Sequence, residues 1–234
     1  MFKQLTKDEL KTFTSYKPNN NAESKLYIRD DTILKLLLHD LNTKDRRNTI
    51  LTLDELNHKS IPTNIEPITY KSRIGYTSTF YRTHQTLDKF IYDRSFSIED
   101  RKKLISLIAR LFEYLKLKEF LFKDIHQENF IYDGQDLKIV DLDSGTFKSN
   151  ISKKDYQEFE ESLIQIDNRL SRLFLRIMFG KYTDRLLYSN SDKFTESQKE
   201  YLLHANDRLG GPYNPESEIN SFDKENIKKL LNLK

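Results

Sequence analysis

Apolar positions follow two different periods along this chain, and the change from one to the other divides it. Between about residues 13 and 80 they fall in short runs rich in β-branched and aromatic side chains, which is the pattern of strands. Lys25–Arg29 and Thr32–Leu38, separated by Asp30-Asp31, predict a hairpin. Lys44–Asn57, with Thr43 as N-cap and Ile50, Leu53 and Leu56 on one face, predicts a helix. Ile61–Tyr70 and Ile74–Tyr81, joined near Ser72, predict two more strands.

From about Thr86 the period lengthens to that of a helix. Ile98–Leu117 places Leu104, Ile105, Ile108, Leu111, Phe112 and Leu115 at three- and four-residue spacing, with charges opposite. Lys154–Phe179 does the same with Tyr156, Phe159, Leu163, Ile166, Leu170, Leu173 and Ile177. Between these helices, Phe130–Tyr132 and Leu137–Val140 read as short strands joined through Asp133-Gly134. The chain from Ser189 is polar, with a loop at Gly210–Pro212 and a last helix near Lys224–Leu231. A sheet with one helix, followed by a helical region, is an α+β architecture.

Composition narrows the class. At 234 residues the chain can bury a substantial core, and its 15 Phe and 13 Tyr offset a hydrophobic content of only 37%. The absence of cysteine removes disulfides, thiol nucleophiles and thiolate metal sites. The first eight residues lack a signal-peptide core, and the longest apolar run, Ile33–Leu38, is interrupted by Lys35. A membrane span needs about 18 apolar residues, so a cytoplasmic protein with no membrane partner is expected. A net charge of +3, with acids and bases interleaved, is not the footprint of a nucleic-acid binder.

The chemistry-bearing stretch is residues 121–145. A long helix delivers the chain to a polar loop holding Asp124 and, five residues later, Asn129; a hairpin then returns Asp141 beside them. Carboxylate and amide oxygens together suit Mg²⁺ and phosphate rather than zinc. Asp124 and Asn129 also fit ordinary turn residues, and Lys35 fits a strand lysine that snorkels to solvent. Asp143 fits either a second metal-proximal carboxylate or a turn residue. His126 fits a structural role in its loop, and the remaining histidines are isolated in sequence. The charges of Lys3–Lys17 read as a solvated surface.

Asp124, Asn129 and Asp141-Leu142-Asp143 together resemble the catalytic loop and metal-binding turn of the protein-kinase-like superfamily, which spans protein kinases, choline kinases and aminoglycoside phosphotransferases. His126 makes the loop D-x-H-x-x-N, a form closer to the small-molecule phosphotransferases and compact bacterial kinases. The resemblance implies a bilobal fold, with a small antiparallel-sheet N-lobe and one helix over residues 1–80 and a mainly helical C-lobe over 81–234. It implies that Asp124 accepts the proton of, or orients, the attacking hydroxyl. It also implies that Asn129 and Asp141 hold Mg²⁺ on ATP, that Lys35 pairs with the α/β-phosphates, and that the backbone around Thr79 and Tyr81 receives adenine. Activity on a hydroxyl acceptor follows, with a Ser/Thr protein kinase first, and a small-molecule kinase or a pseudokinase binding module as alternatives.

The sequence departs from the family's pattern at four points. No glycine precedes Gly75, so the turn over the phosphates would be Pro18–Ser24. The helix position that carries an acid in kinases falls on Thr49, with Asp45 and Glu55 as other candidates. Phe122 stands where a histidine is usual. No A-P-E motif follows Gly145, since the next proline is Pro212.

Overall fold

The computed structural model describes residues 1–16, 23–93 and 95–179. The phosphate-covering turn proposed at Pro18–Ser24 lies outside them except for Glu23 and Ser24. So do the polar tail from Ser189, the Gly210–Pro212 loop and the helix near Lys224–Leu231.

The described chain is α+β. It runs β1 (Lys3–Gln4), α1 (Lys7–Lys11), β2 (Thr14–Tyr16), β3 (Ser24–Arg29), β4 (Thr32–Leu37), α2 (Lys44–Thr52), β5 (Glu66–Tyr70) and β6 (Arg73–Thr79). It continues with β7 (Gln85–Thr86), α3 (Leu87–Ile91), α4 (Ile98–Leu117), β8 (Phe120–Leu121), β9 (Phe130–Tyr132), β10 (Leu137–Ile139), β11 (Thr146–Phe147) and α5 (Tyr156–Phe179). Two compact units emerge. Among the described residues, the first combines Met1–Leu87 with Ile108–Asp167; the second combines Asp88–Leu107 with the part of α5 from Asn168 to Phe179. No helix among the described residues is long and apolar enough to cross a membrane.

Six strands in the order β1-β5-β6-β4-β3-β2 form the main sheet of the first unit. β1 joins β5 in parallel and the remaining neighbours are antiparallel. The β3–β4 hairpin forms where the sequence predicts it, with Asp30 in the left-handed region at φ 51°. The strand expected over Ile61–Tyr70 starts only at Glu66: Pro62 cannot donate to a ladder, and Asn64 turns left-handed at φ 57°. The helix expected over Lys44–Asn57 is capped by Thr43, whose Oγ1 accepts from Arg46 N–H at 3.3 Å, but it ends at Thr52 and tightens into a 3₁₀ turn over Leu53–Glu55.

Strand alternation assigns the two faces of this sheet. In register, Lys35 opposes Tyr76 on one face, while Leu34 opposes Thr77 on the other. The second face is covered by the N-terminal segment, whose Leu5 and Phe13 join Leu34, Leu36 and Ile68 in a core cluster. The charges of Lys3–Lys17 are solvated where they are described, yet the segment carrying them is a structural cover. At Gly75 the backbones of β6 and β4 meet so closely that a Cβ would lie 1.8 Å from the Lys35 carbonyl oxygen. Only glycine permits that approach.

The second half of the first unit is built on aromatic side chains. Phe112 on α4 packs against Phe122 and Phe130, with centroids 6.5 and 6.2 Å away. β8 pairs with β11, Leu121 opposite Thr146, and β9 pairs with β10, Phe130 opposite Ile139. These two ladders clamp both ends of the polar loop and of the Asp141–Gly145 turn.

Candidate functional site

The site grows from the β9–β10 ladder. Because Phe130 opposes Ile139, the next residue outward on one strand is Asn129 and on the other Val140, and Val140 N–H donates to the Asn129 carbonyl at 2.8 Å. Asn129 is 4% exposed. Its Nδ2 donates to the Asp124 carbonyl and to Asp124 Oδ2, both at 2.8 Å. One buried amide therefore closes the five-residue loop and orients the Asp124 carboxylate, which is itself about half exposed. His126 lies inside the loop. Its Nδ1 accepts from Glu128 N–H at 3.3 Å, and its Nε2 stands 3.4 Å from Asp124 Oδ1. The hydrogen bond to Asp124 holds the imidazole pKa above its ordinary value against the opposing effect of burial, with the Asp124, Glu128 and Asp141 charges adding to it.

The second cluster forms around Lys35. Asp141 takes the left-handed conformation, φ 61°, one residue past the end of the Asn129–Val140 bridge. A non-glycine residue in that region stores strain of the kind found at functional turns. The kink leads into a 3₁₀ turn, Leu142–Ser144, and both carboxylates meet the lysine. Lys35 Nζ lies 3.1 Å from Asp141 Oδ1 and 2.7 Å from Asp143 Oδ1. Burial alone would depress the Lys35 amine; Asp143 and then Asp141 outweigh it, so the ammonium is held above its ordinary value. Lys35 is thus a buried, charged, doubly paired residue and does not snorkel.

Asp143 is 1% exposed and has two further donors. Tyr76 Oη donates to its Oδ1 at 3.2 Å, and Arg46 Nη1 lies 3.4 Å from its Oδ2. Burial, reinforced by the Asp143 and Asp141 charges, raises the Tyr76 phenol well above its usual range, so it stays a donor. Arg46 Nη2 reaches Glu23 Oε2 at 3.1 Å. Thr49, the next turn of α2, is fully buried and donates its hydroxyl to the Gly145 carbonyl at 3.0 Å.

The sequence-level candidates therefore sort into three groups. Lys35 and Asp141 are brought together, and Asp124 and Asn129 are brought together beside them through the Asn129–Val140 bridge. Thr79 and Tyr81 gather instead around Thr63: Thr79 N–H donates to the Thr63 carbonyl at 2.9 Å, and Tyr81 Oη accepts from Thr63 N–H at 3.3 Å. Thr79 shares the face of Leu34 rather than that of Lys35 and lines a cleft of about 400 Å³ with Phe13, Arg29, Thr32 and Glu66. That cleft contains none of the clustered acids.

Asp45 and Glu55, both exposed, and Thr49 are not the partners of Lys35; the ion pairs run to Asp141 and Asp143. Sequence reasoning missed Arg46 and Tyr76, whose roles depend on register and helix docking. Asp143 had one signal, an acid two residues beyond Asp141 within an apolar stretch. Among the described residues, no group of three or more His, Asp or Glu side chains is arranged to hold a metal ion. No protein-family model matches the chain, and no curated protein matches it in sequence.

Proposed function

We propose that this chain is an ATP- and Mg²⁺-dependent phosphotransferase that moves the γ-phosphate to a hydroxyl acceptor, on a bilobal protein-kinase-like fold. The observation that carries the reading is the buried Lys35 ammonium, held against a half-exposed Asp141 one strand-end away from the Asn129–Asp124 loop. Phosphoryl transfer asks for charge neutralisation and alignment more than for covalent help. A lysine, an oxygen donor pair and a positioned carboxylate meet that need.

The donor set fits Mg²⁺ in its chemistry. Asn129 commits its amide nitrogen to Asp124, which leaves the amide oxygen as the atom that would serve a cation. Asp141 supplies a carboxylate that is 47% exposed. Mg²⁺ is commonly bound by one or two protein oxygens plus substrate phosphates, so a three-residue cage is not required. Bound there, the ion would neutralise phosphate charge. Lys35 would face the same phosphates, Asp124 would orient the acceptor hydroxyl and take its proton, and Asn129 would keep Asp124 aimed. His126 competes for Asp124 when protonated, so turnover is expected to rise as the imidazole loses its proton.

Thermal melting with ATP, with and without Mg²⁺, tests the nucleotide site, because a ligand of the native state raises the midpoint by mass action. A Mg²⁺-dependent rise is expected. Asp124→Asn should keep that rise while losing roughly 10²–10⁴-fold in turnover, the usual worth of a positioned base. A panel of hydroxyl acceptors, protein and small-molecule, then identifies the substrate class. A midpoint unmoved by ATP, ADP or GTP would defeat the proposal and leave a binding module.

A further inference from the structure

We propose that Asp143 is the positioning residue of the lysine site: it fixes Lys35 from the turn after β10, in the place of an acid on α2, and Arg46 transmits that hold to the helix. What this does for a bound nucleotide rests on the phosphotransferase reading above. The positioning itself does not, because it stands on the ligand-free geometry.

The two acids on Lys35 are not equivalent. Asp143 is the nearer, at 2.7 Å against 3.1 Å, and it is 1% exposed where Asp141 is 47% exposed. Both Asp143 oxygens are engaged by the protein: Oδ1 by Lys35 and Tyr76, Oδ2 by Arg46. A carboxylate with both oxygens engaged by the protein and removed from water is not open to a ligand. Separating it from Lys35 would strand two buried charges, so this pair persists whatever else binds. Asp141 is the exchangeable partner. Its open side faces solvent, and an arriving phosphate or cation competes with Lys35 for it or with it for Lys35.

The helix enters through Arg46 rather than through an acid. Its guanidinium spans Asp143 and Glu23, while Thr49 bonds the Gly145 carbonyl one turn further along. α2 thereby grips Asp143 itself and the backbone two residues beyond it, without Asp45 or Glu55 entering the site. Three carboxylates on two cations also leave the cluster with a surplus negative charge, with Asp141 and Glu23 its exposed members.

The test is the ammonium spectrum of ligand-free protein labelled with ¹⁵N-lysine, because a buried, hydrogen-bonded –NH₃⁺ exchanges slowly with water. The wild type should show a protected ammonium signal that Lys35→Met removes, separate from that of Lys138, which is also buried and pairs with Asp136 at 2.9 Å. Asp141→Asn should retain it, and this variant is compatible with the fold because asparagine accepts the left-handed backbone. Asp143→Asn should lose it, and Arg46→Met should keep it while amide exchange quickens in α2. A Lys35 signal missing from the wild type, lost in Asp141→Asn, or surviving in Asp143→Asn would overturn the assignment. If Asp143→Asn does not fold, the wild-type and Asp141→Asn spectra still decide.

Nucleotide titrations of the same proteins separate the two readings. Outer partners that orient a ligating group are worth roughly 10–100-fold in affinity, so Asp143→Asn should weaken ATP by that factor with or without Mg²⁺. Asp141→Asn should lose only the Mg²⁺-dependent part. A wild type that binds no nucleotide would defeat the phosphotransferase reading and leave the Asp143 assignment in place.

Discussion

Lys35 illustrates how sharply a single buried charge constrains its neighbours. Removing one member of a buried ion pair typically costs about 3–5 kcal/mol, because the other is left uncompensated, whereas replacing both with apolar groups of similar size can be nearly neutral. Asp143→Ala should therefore destabilise the fold by about that amount in urea unfolding, and Lys35→Met combined with Asp143→Leu should recover much of the loss. A double variant as unstable as Asp143→Ala would show that the pair's partners, not the pair, dominate. His126 offers a pH-dependent counterpart. Its folded pKa is raised by Asp124 above the ~6.5 of a free imidazole. The stabilisation from protonation is therefore complete below about pH 6.5 and is lost as pH rises through the folded value. The stability difference between wild type and His126→Gln should be larger at pH 5.5 than at pH 8, and a difference independent of pH would contradict the Asp124–His126 contact.

At the scale of elements, the β4–β6 ladder and α2 set where Lys35 and the Asp141–Gly145 turn meet. Gly75→Ala places a methyl 1.8 Å from the Lys35 carbonyl oxygen. It should cost at least the ~1–3 kcal/mol of an overpacked core and push Lys35 away from Asp143. Denaturant unfolding within 0.5 kcal/mol of wild type would mean that the strands part easily there. Thr49→Val keeps the volume of α2 but strips the Gly145 carbonyl of its donor, a loss of about 1–3 kcal/mol. The same scale shows how far local patterns carry. The β3–β4 hairpin, α4, α5 and the β9–β10 hairpin follow from apolar periodicity and turn residues, which act within a few positions of one another. α1 was written equally locally, in the capping box that Thr6 and Glu9 form, but five residues give no period to read. β1 and β2 were not legible, since two- and three-residue strands exist only because β5 and β3 offer them an edge.

Across the whole molecule, the two compact units have separate anchors. In the first, the Lys35 cluster and the β8–β11 and β9–β10 ladders converge on residues 124–145. In the second, Arg101 is 8% exposed and gives its guanidinium to the carbonyls of Ile91, Asp93, Phe96 and Ile177, at 3.2, 2.7, 3.1 and 2.6 Å. Burial lowers its pKa while Asp93 works against that. Arg101→Met would strip those carbonyls of this donor, that of Asp93 keeping Phe96 N–H at 3.4 Å. It should lower protection against hydrogen exchange in Asp88–Leu107 and Asn168–Phe179 by at least the ~1–3 kcal/mol of one unpaired buried group. Strands β4 and β6 should keep theirs. Uniform loss across both units would show that they open together.

What the sequence by itself determined is the set of local facts: which stretches form strands and helices, that a lysine interrupts an apolar strand, and that Asp124, Asn129 and Asp141 sit on a loop and hairpin suited to oxygen chemistry. Each follows from interactions spanning a few residues. Only the tertiary structure decided that Lys35 is buried, that its partners are Asp141 and Asp143, that Arg46 and Tyr76 complete the cluster, and that Thr79 faces the other side of the sheet. Those outcomes join residues about a hundred positions apart through strand register and helix docking. A buried charge takes its counter-charge from whatever the completed fold brings within about 3 Å, and no local pattern in the chain specifies that neighbour.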